Sequence, residues 1–439
     1  MSAPTRFDGP VDEEVVALYD DGGRPHGSAP RSVMRANNLR HAATGVIVRD
    51  PYGRVYVHRR TPTKDVYPSR WDFTAGGVVL DGEDPLVAAR RELEEELGVT
   101  SELESLGEGD YSDDHTTYHA FRFVTTWDGP ITPQPEEVAY GAWVSIETLI
   151  DRIDDPDYLF MPDSVALFAA WLHERAAERG EPLEGWDSHA TVVEGRWLDR
   201  TPRFPDAESQ LRTETRLMPR LAPLLPLPAP VPIVLDESPL RVRHLLVPGE
   251  PLPEAGKLTD DEGRRLGEFL RLLHDMPVNI YVETGVPDGV AARAELLATL
   301  ERMLHRITPM LPEHLQERGR ELLRRVALPA PGTLIHGDLA GHHVLVADGA
   351  ISGVIDWSDS RVGDPALDLG WALYGTPDPF AEAVATTYAV TDDELVRALD
   401  WYRLVPWYDV LWGLGPGGED FLQPGLEEIA ARLDINKTP

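Results

Sequence analysis

The sequence predicts two domains in series, the first α/β with a mixed sheet between helices and the second α+β. Three observations carry that expectation. The chain has 439 residues, room for two or three separate cores. Its first part alternates strand-like runs with one sharply punctuated helix. Its second part turns mostly helical after a proline-rich connection.

Taken in order, the first thirty residues, with DDGGRPHGSAPRS, are polar and turn-rich and read as an arm lying on the first domain, with regular structure expected from about Asn37. The stretch TGVIVRD-PYG-RVYVHRR is a pair of alternating strands around a Pro-Tyr-Gly turn, and YHAFRFVTT and AYGAWVSI are further strands. Between them lies a helix opened by Asp84 and Pro85 and stopped by Gly98. Asp163 and Ser164 offer caps for a helix to Glu178, and residues 179–184 form a short charged linker. The expected division is therefore 1–178, linker 179–184, and 185–439. In the second part, HATVVEG and RWLDRT read as strands, and a helix runs from about Asp206 to Leu221. Proline at every second or third position makes LAPLLPLPAPVP an extended connection to a strand at LRVRHLLV. The remainder is helical apart from a loop-rich block from Leu334 to Leu369.

Composition excludes several functions. Forty-one basic against 75 acidic side chains leave a formal charge of −34, which repels nucleic acid. There are no cysteines, hence no disulfides, thiolate metal sites or cysteine nucleophiles. The longest apolar run, Leu221 to Leu235, is short and broken by prolines, so no membrane span is expected; with no secretory leader, the expected location is the cytoplasm. Lysine occurs only at positions 64, 257 and 437.

The helix that ends RRELEEELGV carries a dense set of carboxylates. At about 100° per residue, Glu92, Glu95 and Glu96 share one arc, Leu86, Leu93 and Leu97 form a separate stripe, and Glu94 points elsewhere. Upstream, WDFTAGGVVLDGED sets the spacing: Gly77, five residues, Glu83, seven residues, then Arg91-Glu92-Leu93-Glu94-Glu95-Glu96-Leu97-Gly98-Val99. This matches the Nudix box GX5EX7REUXEEXGU at every fixed position, and by that resemblance the first domain is a Nudix α/β/α sandwich. Three carboxylates on one face repel one another unless a hard cation sits among them. The resemblance implies Mg²⁺ (or Mn²⁺) held by Glu92, Glu95 and Glu96, with Glu92 and Glu95 catalytic in hydrolysis of a diphosphate-containing small molecule.

The segment MRANNLRHAATGVIV…VHRRTPTKDVYPSRWDFTAGG is similar to the isopentenyl-diphosphate-isomerase-like branch of that superfamily. Those isomerases place a catalytic cysteine just after the tryptophan strand, where this chain has FTAGG, so isomerisation is not expected. Hydrolysis of a diphosphate, or binding without turnover, remains. His41 stands where the isomerases carry a metal histidine, and a hydrogen-bonded structural role is expected for it. Arg59, Arg60 and Lys64 are candidates to meet substrate phosphates. Glu136 and Glu137 are candidates for a base or an extra metal contact.

The block LIHGDLAGHHVLVADGAISGVIDWSDSRVGDPALDL repeats a pattern of short apolar strand followed by aspartate, at Asp338 and again at Asp356. Buried acids need a proton donor or a metal as partner. The arrangement resembles the aminoglycoside phosphotransferase family, whose fold is protein-kinase-like and bilobal and whose signature runs HGDLxxxNxL followed by an aspartate strand. The resemblance implies Asp338 as the base that takes the acceptor hydroxyl's proton and Asp356 as a Mg²⁺ ligand, with His336 and Asp368 as scaffold. His343 stands at the usual asparagine, a second metal ligand. Macrolide-type members share that histidine, which tilts the expected acceptor towards macrolide-like hydroxyls over aminoglycosides.

Such a kinase needs a cation on its third strand against the donor phosphates. With no lysine between positions 64 and 257, Arg200 is the candidate, Arg203 the runner-up, and Glu214 on the next helix the expected partner. GWDSHATVV is the candidate loop over the phosphates, and HLLVPGEPL the candidate interlobe hinge. The aromatic set Trp401, Tyr402, Trp407, Tyr408 and Trp412 is expected to pack a core, with an acceptor pocket as the other reading. The expectation is a bifunctional fusion: a Mg²⁺-dependent diphosphate hydrolase and an O-phosphotransferase that moves phosphate from ATP or GTP to a small-molecule hydroxyl. The alternative is that only one half turns over and the other senses a ligand.

Overall fold

The structure is a computed structural model that describes residues 5–6, 13–64, 66–185, 187–252, 258–330, 332–415 and 418–434. The chain divides into two units, residues 1–182 with 191–195 and 235–241, and residues 183–190 with 196–234 and 242–439.

The first unit opens with strands β1 (Thr5–Arg6), β2 (Val15–Tyr19) and β3 (Pro25–Pro30) and helix α1 (Arg31–Ala36). Next come β4 (His41–Arg49), β5 (Val55–Arg60), β6 (Trp71–Asp72), helix α2 (Pro85–Leu97), β7 (Glu104–Ser112), β8 (Thr117–Thr126) and β9 (Val138–Val144), closed by α3 (Ile146–Asp154) and α4 (Pro162–Ala177). All nine strands join one mixed sheet, ordered β1-β3-β2-β4-β5-β6, with β8 on β4, β7 on β8 and β9 on β5. The β4–β5 hairpin closes at Arg49↔Val55. The parallel pairing of β4 with β8, as at Val46↔Phe123, needs a long crossover, and α2 lies within it.

Parity along β4 sets the layers. Ala43 and Ile47 pack with Phe73, Leu149, Phe168 and Leu172 towards α3 and α4. Val46 and Val48 pack with Ala89, Leu93 and Leu97 of α2. The expected arm is instead part of the sheet: β2 pairs with β3 and reaches β4 at Leu18↔His41. Val16, Leu18, Ala29 and Met34 bury there against Val78, which outweighs the polar composition of the segment.

Two further expectations are corrected. Helix α4 is capped at Met161 with Pro162 in its first turn, because Asp163 accepts instead from the Tyr118 hydroxyl (2.8 Å) and the Ser164 hydroxyl donates to Asp72 (2.7 Å). Residues 179–184, expected as a linker, are strand β10 (Arg179–Glu184).

That strand begins a five-stranded sheet, completed by β11 (Ser188–Val193), β12 (Trp197–Pro202), helix α5 (Pro205–Leu221) behind it, β13 (Ile233–Glu237) and β14 (Leu240–Leu245). The order is β10-β11-β12-β14-β13, and Arg200 of β12 lies opposite Val242 of β14. After Leu245 the chain changes sheet: β15 (Glu250–Pro251) pairs with β17 (Val344–Ala347). The helical lobe comprises α6 (Asp260–His274), α7 (Gly289–Arg306), α8 (Glu313–Val326), α9 (Ala366–Tyr374), α10 (Asp378–Tyr388), α11 (Asp392–Gly413) and α12 (Glu419–Leu433). Set into it are β16 (Thr333–Ile335), the β17–β18 hairpin with β18 (Ala350–Val354), and β19 (Arg361–Gly363). Its core gathers Phe269, Met303, Leu322, Trp357, Phe380 and Trp407. Of the aromatic set, Trp401 and Trp407 are buried, while Tyr408 and Trp412 are exposed.

Candidate active sites

In the first unit the carboxylates come from α2. The Asp84 carboxylate accepts from the Leu86 amide (2.9 Å), and Gly98 ends the helix with φ +67°, so the face bearing Glu92, Glu95 and Glu96 is set from both ends. Leu93 and Leu97 anchor the opposite side in the core. Glu96 accepts from the Gly76 amide at 3.1 Å. Burial, opposed by Lys64 and reinforced by Glu92, pushes its carboxyl up to about 7. Burial likewise raises Glu92, with Arg91 opposing. Arg91 ties the set together, donating to Glu83 (3.0 Å), Glu92 (2.8 Å) and Glu95 (3.4 Å). Two crowded carboxylates that resist ionisation fit a divalent cation, which restores the charged form. The three glutamates are not drawn within 4.8 Å of one another as one group.

Gly77 faces Glu92 so closely that a Cβ there would lie 2.5 Å from its carboxyl carbon. Because the clashing atoms end a flexible side chain, the Gly77→Ala protein is expected to fold with a near-unchanged melting temperature. Its affinity for a divalent ion should fall about ten- to a hundredfold as Glu92 is displaced, read by calorimetry beside a thermal melt.

Lys64 ion-pairs with Glu137, and both Lys64 and Arg60 act on Glu96. Arg59 is not brought there: strand parity puts it on the opposite face of β5 from Arg60, exposed, with its guanidinium on the Ser69 carbonyl (3.1 Å). Glu136 is exposed. His41 is buried, its Nδ1 donating to the Leu39 carbonyl at 3.1 Å, and burial lowers its pKa to about 4.

The second site is built by β12, α5, the loop after β16 and the loop after β18. Arg200 and Glu214 are both buried and meet at 2.9 Å. The same guanidinium lies 3.5 Å from Asp187 and 3.8 Å from Asp356. Burial would raise Asp356, but Arg200 and then His343 outweigh it and hold the carboxyl at about 2. Asp356 has φ +64°, a conformation aspartate tolerates better than most residues. The Gly185-to-Ser188 turn between β10 and β11 supplies Asp187 and the Ser188 hydroxyl, 3.3 Å from the Arg200 Nε; Trp186 of the candidate phosphate loop lies outside the described residues. Arg203 donates to the Gly185 carbonyl at 2.8 Å and is exposed, so of the two candidate arginines Arg200 is the one that meets Asp356.

His343 lies between the two aspartates. Its Nδ1 is 2.7 Å from the Asp338 backbone carbonyl; a carbonyl cannot donate, so Nδ1 carries the hydrogen and Nε2 is left with its lone pair. That Nε2 faces Asp356 Oδ2 at 3.4 Å. A lone pair and a carboxylate so placed are held by a cation, a proton or a metal ion. Two adjacent ligands of an ion with bonds of about 2.1 Å lie about 3.0 Å apart, so His343 and Asp356 fit one divalent ion. Asp338 lies 3.6 Å from His343 Nδ1 on the other side. The protein packed around Asp338, with Asp359 and Asp356 adding to it, raises its pKa, while His343 and Arg361 oppose.

Beneath, Asp368 is fully buried and accepts from the amides of His336 (2.7 Å) and Gly337 (2.9 Å) and from His274 (3.1 Å). His336 donates to the Ile355 carbonyl at 3.0 Å. These two scaffold residues tie the loop bearing Asp338 to the one bearing Asp356. His274 of α6 was not foreseen, because its partner is 94 positions away. In the helical lobe a cavity of about 240 Å³ has apolar walls from Leu296, Val326, Val362 and Trp401. Its charged lining is largely spent internally: Asp364 on Arg397 (3.1 Å) and the Trp401 indole (3.0 Å), Arg293 on the Leu328 carbonyl (3.2 Å). Arg361 lines it too, donating to the Gly337 carbonyl at 3.2 Å.

The chain was compared with known proteins. The pattern of the phosphotransferase enzyme family matches residues 180–405, just over half of the chain, and that of the NUDIX domain matches residues 39–164. An uncharacterised Nudix hydrolase, orf19 of Rhodococcus erythropolis, is 42% identical over 180 residues, covering 38% of this chain and 97% of that protein. The uncharacterised Nudix hydrolase YfcD of Escherichia coli K12 is 37% identical over 172 residues, covering 39% and 93%. Among solved structures, the GDP and kanamycin complex of APH(2")-IIia superposes with a TM-score of 0.54 at 22% identity, covering 62% of this chain and 99% of that one. The GDP complex of wild-type aminoglycoside 2'-phosphotransferase-IIIa gives 0.53 at 23% identity, covering 59% and 93%. At these identities the likeness is one of fold. No helix among the described residues is long and apolar enough to cross a membrane.

Proposed function

Because the chain belongs to the phosphotransferase enzyme family through residues 180–405 and to the Nudix hydrolases through residues 39–164, we propose that it is bifunctional, dividing near residues 179–184. The first part would hydrolyse a small molecule containing a diphosphate, and the second would phosphorylate the hydroxyl of another small molecule from ATP or GTP. The observation that carries the phosphotransferase reading is the row Glu214, Arg200, Asp356, His343, Asp338, each member within 4 Å of the next. Four sequence-distant segments supply it.

Within that row the residues divide the work. Glu214 fixes Arg200, whose permanent charge faces the donor phosphates. Asp338 takes the proton as the acceptor O–H bond breaks, the new O–P bond forms, and the nucleoside diphosphate leaves with the electrons of the broken P–O bond. Asp368 holds the Asp338 loop in place through the Gly337 amide. Asp356 and His343 would hold the divalent ion here, and Glu92, Glu95 and Glu96 the one in the first unit; in both places the ion neutralises phosphate charge. Glu92 and Glu95 are assigned the proton handling of hydrolysis, Arg60 and Lys64 the substrate phosphates. The cavity that Arg361 lines, with Leu296, Val362 and Trp401, is a candidate for part of the acceptor site. His343 tilts the acceptor towards macrolide-like hydroxyls over aminoglycosides.

The test uses the full chain with Mg²⁺, ATP or GTP, and two panels, hydroxyl compounds and diphosphates, read by mass spectrometry. Gain of one phosphoryl group by a hydroxyl compound and cleavage of a diphosphate support the proposal; failure of either panel leaves that half as a ligand-sensing module. Metal preference gives a second check. Imidazole favours the later, softer divalent ions over Mg²⁺, so phosphorylation is expected to run better with Mn²⁺ than with Mg²⁺, and His343→Asn to reverse that order, measured as kcat/KM with each ion.

A further inference from the structure

We propose that the phosphotransferase site contains an inhibitory transition-metal site formed by Asp338, His342 and His343, selective for Zn²⁺ over Mg²⁺. This is a different donor set from the His343–Asp356 pair assigned to the catalytic ion, and it uses a residue, His342, that has no part in phosphoryl transfer. One ligand atom from each of Asp338, His342 and His343 lies within 4.8 Å of the others. The two imidazole rings are 4.0 Å apart between centroids, inclined at 64°. Asp338 Oδ2 is 3.6 Å from His343 Nδ1.

The chemistry of the set decides its ion. Two imidazoles and one carboxylate make a poor cage for Mg²⁺, which prefers six oxygens, and a good one for Zn²⁺, which takes three protein ligands and a water in a tetrahedron. Donors of a zinc tetrahedron lie about 3.3 Å apart for bonds of about 2.0 Å, so the three, now within 4.8 Å of one another, must close by up to about 1.5 Å. They are free to do so: His343 is buried and anchors the set, while Asp338 and His342 are exposed and rotate towards it. Binding uses the Asp338 carboxylate and one nitrogen of each imidazole; His343 Nδ1 gives up its hydrogen to solvent, and its bond to the Asp338 carbonyl, as the zinc bond forms, and no redox partner is required.

The consequence is inhibition. With its carboxylate on zinc, Asp338 cannot accept the acceptor's proton. The inhibition rests on the base role proposed above for Asp338; the binding does not.

The experiment titrates the full chain with Zn²⁺ against a competing chelator in excess Mg²⁺, for the wild type, His342→Ala and Asp338→Asn. In the wild type one Zn²⁺ is expected to bind that both variants bind at least about tenfold more weakly. With Cu²⁺ as a paramagnetic probe, the wild-type resonance should show two imidazole nitrogens at that site and His342→Ala one. With Mg²⁺ alone, His342→Ala should keep full phosphotransferase turnover, and it should no longer be inhibited by Zn²⁺. Equal zinc stoichiometry and affinity in the wild type and His342→Ala would overturn the site. If no hydroxyl compound is phosphorylated, the titration and the nitrogen splitting still decide it, since neither depends on turnover. Zinc binding lost in His342→Ala with inhibition unchanged would overturn the inhibitory role.

Discussion

Replacing Asp338 by alanine is expected to lower phosphoryl transfer by about two to four orders of magnitude, the usual contribution of a positioned base, while diphosphate hydrolysis by the same protein stays at its wild-type rate. Half of the Asp338 side-chain surface is open, and its neighbours do not depend on it for packing: 53% of it is exposed. The loop is held by Asp368 through the amides of His336 and Gly337, so the substitution leaves the backbone in place. The melting temperature should therefore move little, and kcat should fall with the KM for nucleotide unchanged. Steady-state kinetics on both reactions, beside a thermal melt, check all three statements. A variant that phosphorylates at the wild-type rate removes Asp338 from the mechanism.

In the first unit the largest loss is expected from Glu95→Gln. Glu95 is 57% exposed and meets Arg91 at 3.4 Å, so the change should cost under about 0.5 kcal/mol of stability and at least about two orders of magnitude in hydrolysis. Glu96→Gln should separate the two effects. The Glu96 carboxyl titrates near 7 in the folded chain against 4.5 for an ordinary glutamate, so the folded state holds its proton more tightly than the unfolded state does. That penalty is absent below pH 4.5 and grows as pH rises to 7. In chelator at pH 8 the Glu96→Gln protein is thus expected to melt a few degrees higher than the wild type, about what one to two kcal/mol produces, and to hydrolyse more slowly once Mg²⁺ is restored. Melting curves at pH 5 and pH 8 with and without the ion decide it: a lower melting temperature for the variant at pH 8 in chelator would contradict the burial argument.

Much of both sites could be read from residues alone wherever a local rule governs. Asp84, Pro85 and Gly98 delimit α2 because capping is decided within one turn. Arg200 and Glu214 could be paired because a strand followed by a helix leaves few cations to choose from. What escaped was decided at a distance. Strand β3 is spelled PHGSAP, which no periodicity marks as a strand, and it exists because β2 lies beside it. Asp163 looked like a cap but is drawn off by Tyr118, 45 positions away. His342 carried no signal, since its interest lies in the angle its ring makes with His343. Arg59 and Arg60 are a milder case: neighbouring residues on a strand point to opposite faces, and that rule alone would have separated them.

The Arg200–Glu214 pair has a practical corollary. Reagents that report on nucleotide pockets by acylating an amine, such as acyl-phosphate nucleotides, depend on a lysine beside the donor phosphates. On the assignment proposed above, the Arg200 guanidinium fills that place, protonated at every accessible pH and without nucleophilic character. On that assignment, chemical profiling of a cell extract with such reagents would gain no label at Arg200, however full its pocket. Dicarbonyl reagents selective for arginine are the ones that would register it, with a bound nucleotide shielding the label.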